Sequence, residues 1–179
     1  MKPVNKEIVL DISDLLPNGE GVAEINARQV QVRNALPGEV VSARILKKKK
    51  GIRYADAIDV VRSSQDRTDI ACKSYPRCGG CSMLHMLPSK EVELKSKKLN
   101  MDLKGRGIVF EETLDPVVNN FLHYRGKARL GVKCLGDTVL VGFRESFSSR
   151  VARIDACKIL TYELSNLIPI LKETVSQCS

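Results

Sequence analysis

Three cysteines fall within ten positions, in Cys72-Lys-Ser-Tyr-Pro-Arg-Cys78-Gly-Gly-Cys81. Thiolates are soft ligands, and a pair separated by two residues turns readily onto one metal centre. Gly79 and Gly80 leave the backbone free to fold tightly around it. A tetrahedral or cubane site needs a fourth ligand, and Cys134, Cys157 and Cys178 are the candidates. Cys134 shares strand parity with Leu130 and Val132, so it is expected to face a core as a small hydrophobe. Cys178 is next to the last residue, where chains fray. Cys157, in Asp155-Ala-Cys-Lys-Ile-Leu160, is the best fourth ligand, although neither of the others is eliminated. His85 is a further possible ligand; a histidine packed or hydrogen-bonded nearby is the simpler reading. Zinc sites usually come as two paired arms, whereas one compact triple plus a remote cysteine suits a 4Fe-4S cluster better. On spacing, both metals remain open.

The second chemical feature is positive charge. Lys and Arg number 29 against 21 Asp and Glu, a formal net charge of +8 that points toward a polyanionic partner. Arg44, Lys47, Lys48, Lys49, Lys50 and Arg53 lie in a stretch, residues 40–55, that holds no acidic residue. They make either a phosphate-contacting edge or a solvated hairpin tip. Arg125, Lys127 and Arg129 share parity and would face one side of a strand. Tyr124, Phe143 and Phe147 lie nearby in sequence and could stack on bases, with core packing the favoured role for Phe143. Classical catalytic patterns are missing. There are two histidines, His85 and His123, and neither a three-glycine dinucleotide fingerprint nor a phosphate-loop motif occurs.

Elements must position these groups. The first 62 residues hold no cysteine and read as short strands: 7–12, 21–25, 29–33, 40–46 and 52–61. Turn residues separate them at Asn18-Gly-Glu-Gly21 and Leu36-Pro-Gly-Glu39, and Lys47 to Gly51 forms a basic hairpin tip. Five short strands predict a small β-barrel, closed so that no edge is exposed. The polar stretch Arg62-Ser-Ser-Gln-Asp-Arg67 marks a boundary. Beyond it, Ser89 is the expected N-cap of a helix carrying Val92, Leu99 and Leu103. Residues 125–133 and 138–143 predict a hairpin around Gly136-Asp137. Leu160, Leu164, Ile168, Leu171 and Val175 form a helical stripe, which Pro169 kinks or divides. The fold class is α+β. Apolar residues make up 43% of the chain, enough for cores, and with no Trp those cores rest on Val, Ile and Leu. The N-terminus has no signal-like apolar run, and no stretch is long enough to span a membrane. The expected location is the cytoplasm, where thiols stay reduced and clustered cysteines serve metals or chemistry.

Taken in order, Cys72-x5-Cys78-Gly-Gly-Cys81 with Met83-Leu-His85, Tyr124-Arg-Gly-Lys-Ala-Arg-Leu130, Val141-Gly-Phe-Arg144 and Cys157-x-Ile-Leu160 resemble the iron–sulfur RNA (uracil-5-)-methyltransferases, especially the bacterial 23S rRNA branch. Asn18-Gly-Glu-Gly-Val-Ala23 and Ala35-Leu-Pro-Gly-Glu-Val-Val41 are similar to a TRAM domain, a small RNA-binding barrel of OB-like form. The resemblance implies an RNA-binding barrel over 1–62 and an iron–sulfur α+β domain over 63–179, incomplete at its C-terminal end. It implies Cys72, Cys78, Cys81 and Cys157 as ligands of a 4Fe-4S cluster of architectural role, and RNA, in particular 23S rRNA, as partner. The family's reaction moves a methyl group from S-adenosylmethionine to uracil carbon 5, after a Cys thiolate adds to carbon 6 and before a carboxylate removes the proton. The resemblance puts those groups in a C-terminal domain beyond Ser179. The expected activity of the chain is therefore RNA binding without methyl transfer, and no cysteine is assigned as nucleophile. A stand-alone RNA-binding iron–sulfur module is the alternative, and a zinc-stabilised translation accessory protein a weaker one.

Overall fold

A computed structural model of the chain describes residues 7–136 and 138–178. Residues 1–6, Asp137 of the expected hairpin turn and Ser179 lie outside the described residues. The contacts divide the chain into two compact units: Met1–Asp69 with His85–Val117, and Ile70–Leu84 with Val118–Ser179. The first unit thus runs past residue 62 and takes in a later segment. No helix among the described residues is long and apolar enough to cross a membrane.

The first unit is built on strands β1 (Glu7–Asp11), β2 (Asp14–Leu15), β3 (Gly21–Ile25), β4 (Arg28–Arg33), β5 (Val40–Lys49) and β6 (Ile52–Arg62). All five expected strands are present, and β2 is an additional short one. β4 shows why alternation was informative: Val30 and Val32 are fully buried while Gln29 and Gln31 alternate with them. The core is Leu10, Ile12, Ala23, Val30, Val32, Ala35, Val41, Ala43, Ala55 and Ala57. Alanines inside let the strands curl closely around few large side chains. The long β5–β6 hairpin shifts register between Val40 and Val41, Ser42 and Ala43, and Ile45 and Lys47. Such irregularities increase local twist and bend the ribbon.

The expectation of a closed barrel is corrected. The strand order β1-β5-β6-β4-β3-β2 leaves β1 and β2 on opposite edges with no ladder between them. The reason is local: the chain passes from one edge to the other through Ile12 and Ser13. Their N–H groups donate instead to the carbonyls of Glu39 at 2.9 Å and Val22 at 2.8 Å. Helix α1 (Pro88–Gly105) also belongs to this unit. Its N-cap is Leu87 rather than Ser89, with proline in the first turn. Proline has no N–H to satisfy there, so the helix begins one residue before the expected cap. α1 buries no residue fully, and Leu99 is exposed.

The second unit holds the hairpin β7 (Gly131–Leu135) and β8 (Thr138–Gly142), and helix α2 (Tyr162–Gln177), which packs on β8. Its core is small: Ala152, Ile154, Cys157, Ile159, Leu160 and Ile168, with Leu84, Leu130, Phe143 and Leu164 packed against it. α2 runs unbroken through Pro169. The stripe buries Leu160 and Ile168, whereas Leu171 is exposed.

Candidate metal centre and nucleic-acid interface

The second unit gathers the cysteines. Cys72, Cys78, Cys81 and Cys157 line one recess, together with Tyr75, Gly80, Leu84, Phe143 and Ile159. Backbone contacts set it up. The Cys78 N–H bonds the Ser74 carbonyl at 2.8 Å, and the Gly79 N–H bonds the Arg144 carbonyl at 2.9 Å. Cys78 also bridges to Glu145, pinning the loop to the chain beyond β8. The two glycines act by close approach. A Cβ on Gly79 would stand 2.8 Å from the Arg144 oxygen, and one on Gly80 would stand 2.9 Å from the Phe143 ring. Neither has the positive φ that would mark a left-handed turn.

Cys157 arrives from the other side. Its N–H donates to the Ser165 hydroxyl at 2.9 Å, where Ser165 is buried within α2. Nothing in the sequence singles out Ser165, because its role depends on α2 lying alongside residues 152–160. Burial pushes the Cys78 thiol above its ordinary pKa, with Cys72 and Cys157 adding to the effect. Burial, then Cys157, Cys78 and Cys72, pushes Cys81 up to about 12, with Arg125 acting in the opposite sense. Four thiols lining one recess form a donor set suited to a cationic metal group.

Among the described residues, no group of three or more His, Cys, Asp or Glu side chains is placed to hold a metal ion. The remaining cysteines stand apart from the recess. Cys178 is exposed at the end of α2, and no disulfide joins any cysteine. The core expectation for Cys134 is corrected: it is exposed on β7, as is Val132, because α2 covers β8 and leaves β7 largely solvated.

His85 is fully buried in the first unit and does not line the recess. Burial lowers its pKa to about 4, helped by Arg67 and opposed by Glu39 and a bond with the Ala35 backbone. Around it lies a polar cluster that sequence reading missed. Arg67 makes a two-pronged pair with fully buried Glu39 at 2.6 and 2.7 Å and bonds the Asn34 carbonyl at 2.9 Å. Glu39 also accepts the N–H groups of Leu36 and Ser64. Burial acts to raise the Glu39 pKa, but Arg67 and these N–H bonds outweigh it, and the net shift is downward. Nothing local in Leu36-Pro-Gly-Glu39 shows that its carboxylate turns inward; only the return of Arg67 makes burial tolerable.

The first basic group lies where expected, at the β5–β6 tip. Lys49 pairs with Ile52 across a two-residue turn in which Lys50 has φ 48° and Gly51 φ 84°. This is the primed geometry whose twist suits a hairpin. Lys48 stands directly opposite Arg53, and Lys47 lies over the Tyr54 ring at 5.1 Å. Like charges directly opposite are unfavourable without an anion to share. The Arg53 Nη1 is buried without a hydrogen-bond partner among the described residues. Arg44 is separate in character, paired with Glu7 at 2.9 Å.

The second group differs from expectation. Residues 125–130 form no strand; only an isolated bridge ties Arg125 to Leu160. Arg125, Lys127 and Arg129 therefore share no strand face. The Arg125 N–H donates to the Ile159 carbonyl and its own carbonyl accepts from Thr161, so this backbone pairs with residues 159–161 instead. Lys127 and Arg129 are exposed, while half-buried Arg125 lies over Phe143, 5.9 Å from the ring centre. Phe143 itself packs against the core, as expected.

Comparison with known proteins adds ancestry to this geometry. Residues 2–58 match the TRAM domain. The chain is 33% identical over 185 aligned residues to the 23S rRNA (uracil(1939)-C(5))-methyltransferase RlmD of Acinetobacter baumannii, covering 96% of this chain and 40% of the relative. The protein of the same name from Thiobacillus denitrificans is 36% identical, again over 96% of this chain and 40% of the relative. Among solved structures, the Pyrococcus abyssi tRNA (uracil-54, C5)-methyltransferase in complex with S-adenosyl-L-homocysteine superposes with a TM-score of 0.64 at 25% identity. That match covers 94% of this chain and 37% of the other. The chain thus spans about two fifths of the length of the relatives it matches.

Proposed function

Along nearly its whole length this chain is homologous to the RNA (uracil-5-)-methyltransferases, with a TRAM domain over residues 2–58, and we propose that it is the RNA-binding, 4Fe-4S-bearing part of an S-adenosylmethionine-dependent 23S rRNA (uracil-5-)-methyltransferase. In this reading it binds RNA in the cytoplasm and does not itself transfer methyl groups. The observation that carries the proposal is convergence: thiols at 72, 78, 81 and 157 line one recess in a chain that aligns with RNA-modifying enzymes.

Cys72, Cys78, Cys81 and Cys157 would hold the cluster. When bound, the cluster supplies a covalent cross-link rather than a step of the reaction. The chain's own groups prepare for it. Ser165 fixes the Cys157 peptide, Arg144 and Glu145 hold the cysteine loop, and Phe143 closes against Gly80. Arg125 offsets part of the negative charge that four thiolates bring. In the TRAM unit, Lys47, Lys48, Lys49, Lys50 and Arg53 supply phosphate contacts, with Lys127 and Arg129 as further contacts in the second unit.

Anaerobic purification tests the metal. A brown protein containing iron and sulfide is expected, and a colourless zinc protein refutes the cluster. RNA binding is tested by salt titration. Replacing Lys47 to Lys50 with Gln should lower the slope of log affinity against log salt by about 0.7 for each phosphate no longer neutralised. An unchanged slope makes the run a solvated tip. Methylation of a uracil-containing RNA by the purified 179-residue chain would overturn the division of labour.

A further inference from the structure

The second unit carries a pair of aromatic rings that its core does not use. The rings of His123 and Tyr162 are stacked, with centroids 3.8 Å apart and planes 15° from parallel. Tyr162 opens α2 and is 64% exposed, so one ring is supported from behind and open to solvent elsewhere. His123 is held in place by backbone. It has φ 56°, a left-handed conformation that a side-chain-bearing residue adopts at a cost. Two bonds hold it there. Its N–H donates to the Lys158 carbonyl at 2.9 Å, and its Nδ1 lies 3.0 Å from the Leu160 carbonyl. Local strain maintained by surrounding bonds, at a site where packing gains little, is a sign of pre-organisation. Tyr124, next in sequence, is also exposed, as are Lys127, Arg129 and Lys158.

We propose that the stacked His123–Tyr162 pair is a shelf for one unpaired base of single-stranded RNA. The exposed cations of the same unit, Lys127, Arg129 and Lys158, take the flanking phosphates. An aromatic face accepts any base, so the shelf contributes affinity and position, and discriminates little among bases. A rigid stacked pair has met its ordering cost before the RNA arrives. The inference rests on the RNA-binding reading above and gives it a defined contact outside the TRAM domain.

The test uses the whole chain and two probes: an oligouridylate of about twelve nucleotides and an abasic oligomer of the same length. Tyr162→Ala should weaken oligouridylate binding about fivefold or more and leave the abasic affinity unchanged. Tyr162→Phe should retain the wild-type affinity. Because the chain contains no tryptophan, Tyr162→Trp provides a single reporter, whose emission should be quenched by oligouridylate and unaffected by the abasic probe. If the wild type binds oligouridylate and Tyr162→Ala binds it equally well, or the reporter is not quenched, the shelf is overturned and the RNA-binding reading stands. If the wild type binds neither probe, the RNA-binding reading fails and the shelf with it.

Discussion

The two units solve the same problem by different means. The first buries ten aliphatic residues in one interior and adds an ion pair on a fully buried carboxylate, Glu39–Arg67. The second has six core residues, one of them a cysteine, two short strands and one packed helix. Two other cysteines, Cys78 and Cys81, lie among the groups packed on that core. Hydrocarbon supplies the cohesion of the first unit. In the second, the space that large apolar side chains would fill is lined by thiols. A domain with so little hydrocarbon interior ordinarily depends on disulfides or a metal, and these cysteines form no disulfide. If the thiols hold the proposed cluster, the second unit folds with that metal, whereas the first folds on hydrocarbon burial alone.

The largest expected effect breaks the comparison on the thiol side. Cys157→Ala should abolish iron retention and unfold the second unit, since a structural metal contributes on the order of 10 kcal/mol. Iron analysis and limited proteolysis read the outcome; cleavage should fall within residues 118–178 while the TRAM strands stay protected. A second unit that stays equally protected without iron would show that its small core suffices.

The next effect acts on the other unit. Arg67→Ala leaves the Glu39 carboxylate buried without its charge partner, a loss of about 3–5 kcal/mol. Urea unfolding of the first unit should detect it, with iron content unchanged. If iron falls too, the units do not have the independence proposed here.

Acid then sharpens the contrast. His85 is buried and neutral, with its pKa lowered from 6.5 to about 4. Between those values the unfolded chain binds a proton that the folded one refuses, so stability falls as pH drops through that window. The loss reaches roughly 3 kcal/mol at its lower end. Arg67 and Glu39 face the imidazole, and Glu39, whose folded pKa lies below 4.5, adds its own loss once pH falls below that value. His85→Gln should flatten the upper part of the profile, between about pH 6.5 and 4.5. A wild-type profile already flat there would remove the assignment.

The smallest effect is a gain. Ala27 sits at φ 57° in the β3–β4 turn. Ala27→Gly should stabilise the first unit by about 0.5–1 kcal/mol, because the left-handed conformation costs alanine more than glycine's extra chain entropy. Thermal melting of that unit checks it.

Much of this architecture was readable in the chain. Strict alternation marked β4, since every second residue had to be apolar to face one interior. The spacing of Cys72, Cys78 and Cys81 marked a thiol cluster, because ligands within ten residues can converge without help from the rest of the fold. Cys157 was chosen by weighing the remaining cysteines, and it does line their recess. What failed did so where non-local packing decides. Parity placed Arg125, Lys127 and Arg129 on one strand face, but residues 125–130 pair with 159–161 in a single bridge rather than a ladder. Parity also turned Cys134 inward, although β7 is exposed along most of its length. The barrel was expected to close because edges are costly, yet Ile12 and Ser13 join the two edges through irregular backbone.

The sequence by itself determined the strand pattern, the compact cysteine triple and the charge, because these follow from local periodicity, spacing and residue type. The tertiary structure alone decided that Glu39 turns inward toward Arg67, that Ser165 holds Cys157, and that His123 stacks on Tyr162. Each of those pairs joins segments that neither period nor motif relates, and their value lies in desolvation and alignment, which arise only when the chain has brought them together.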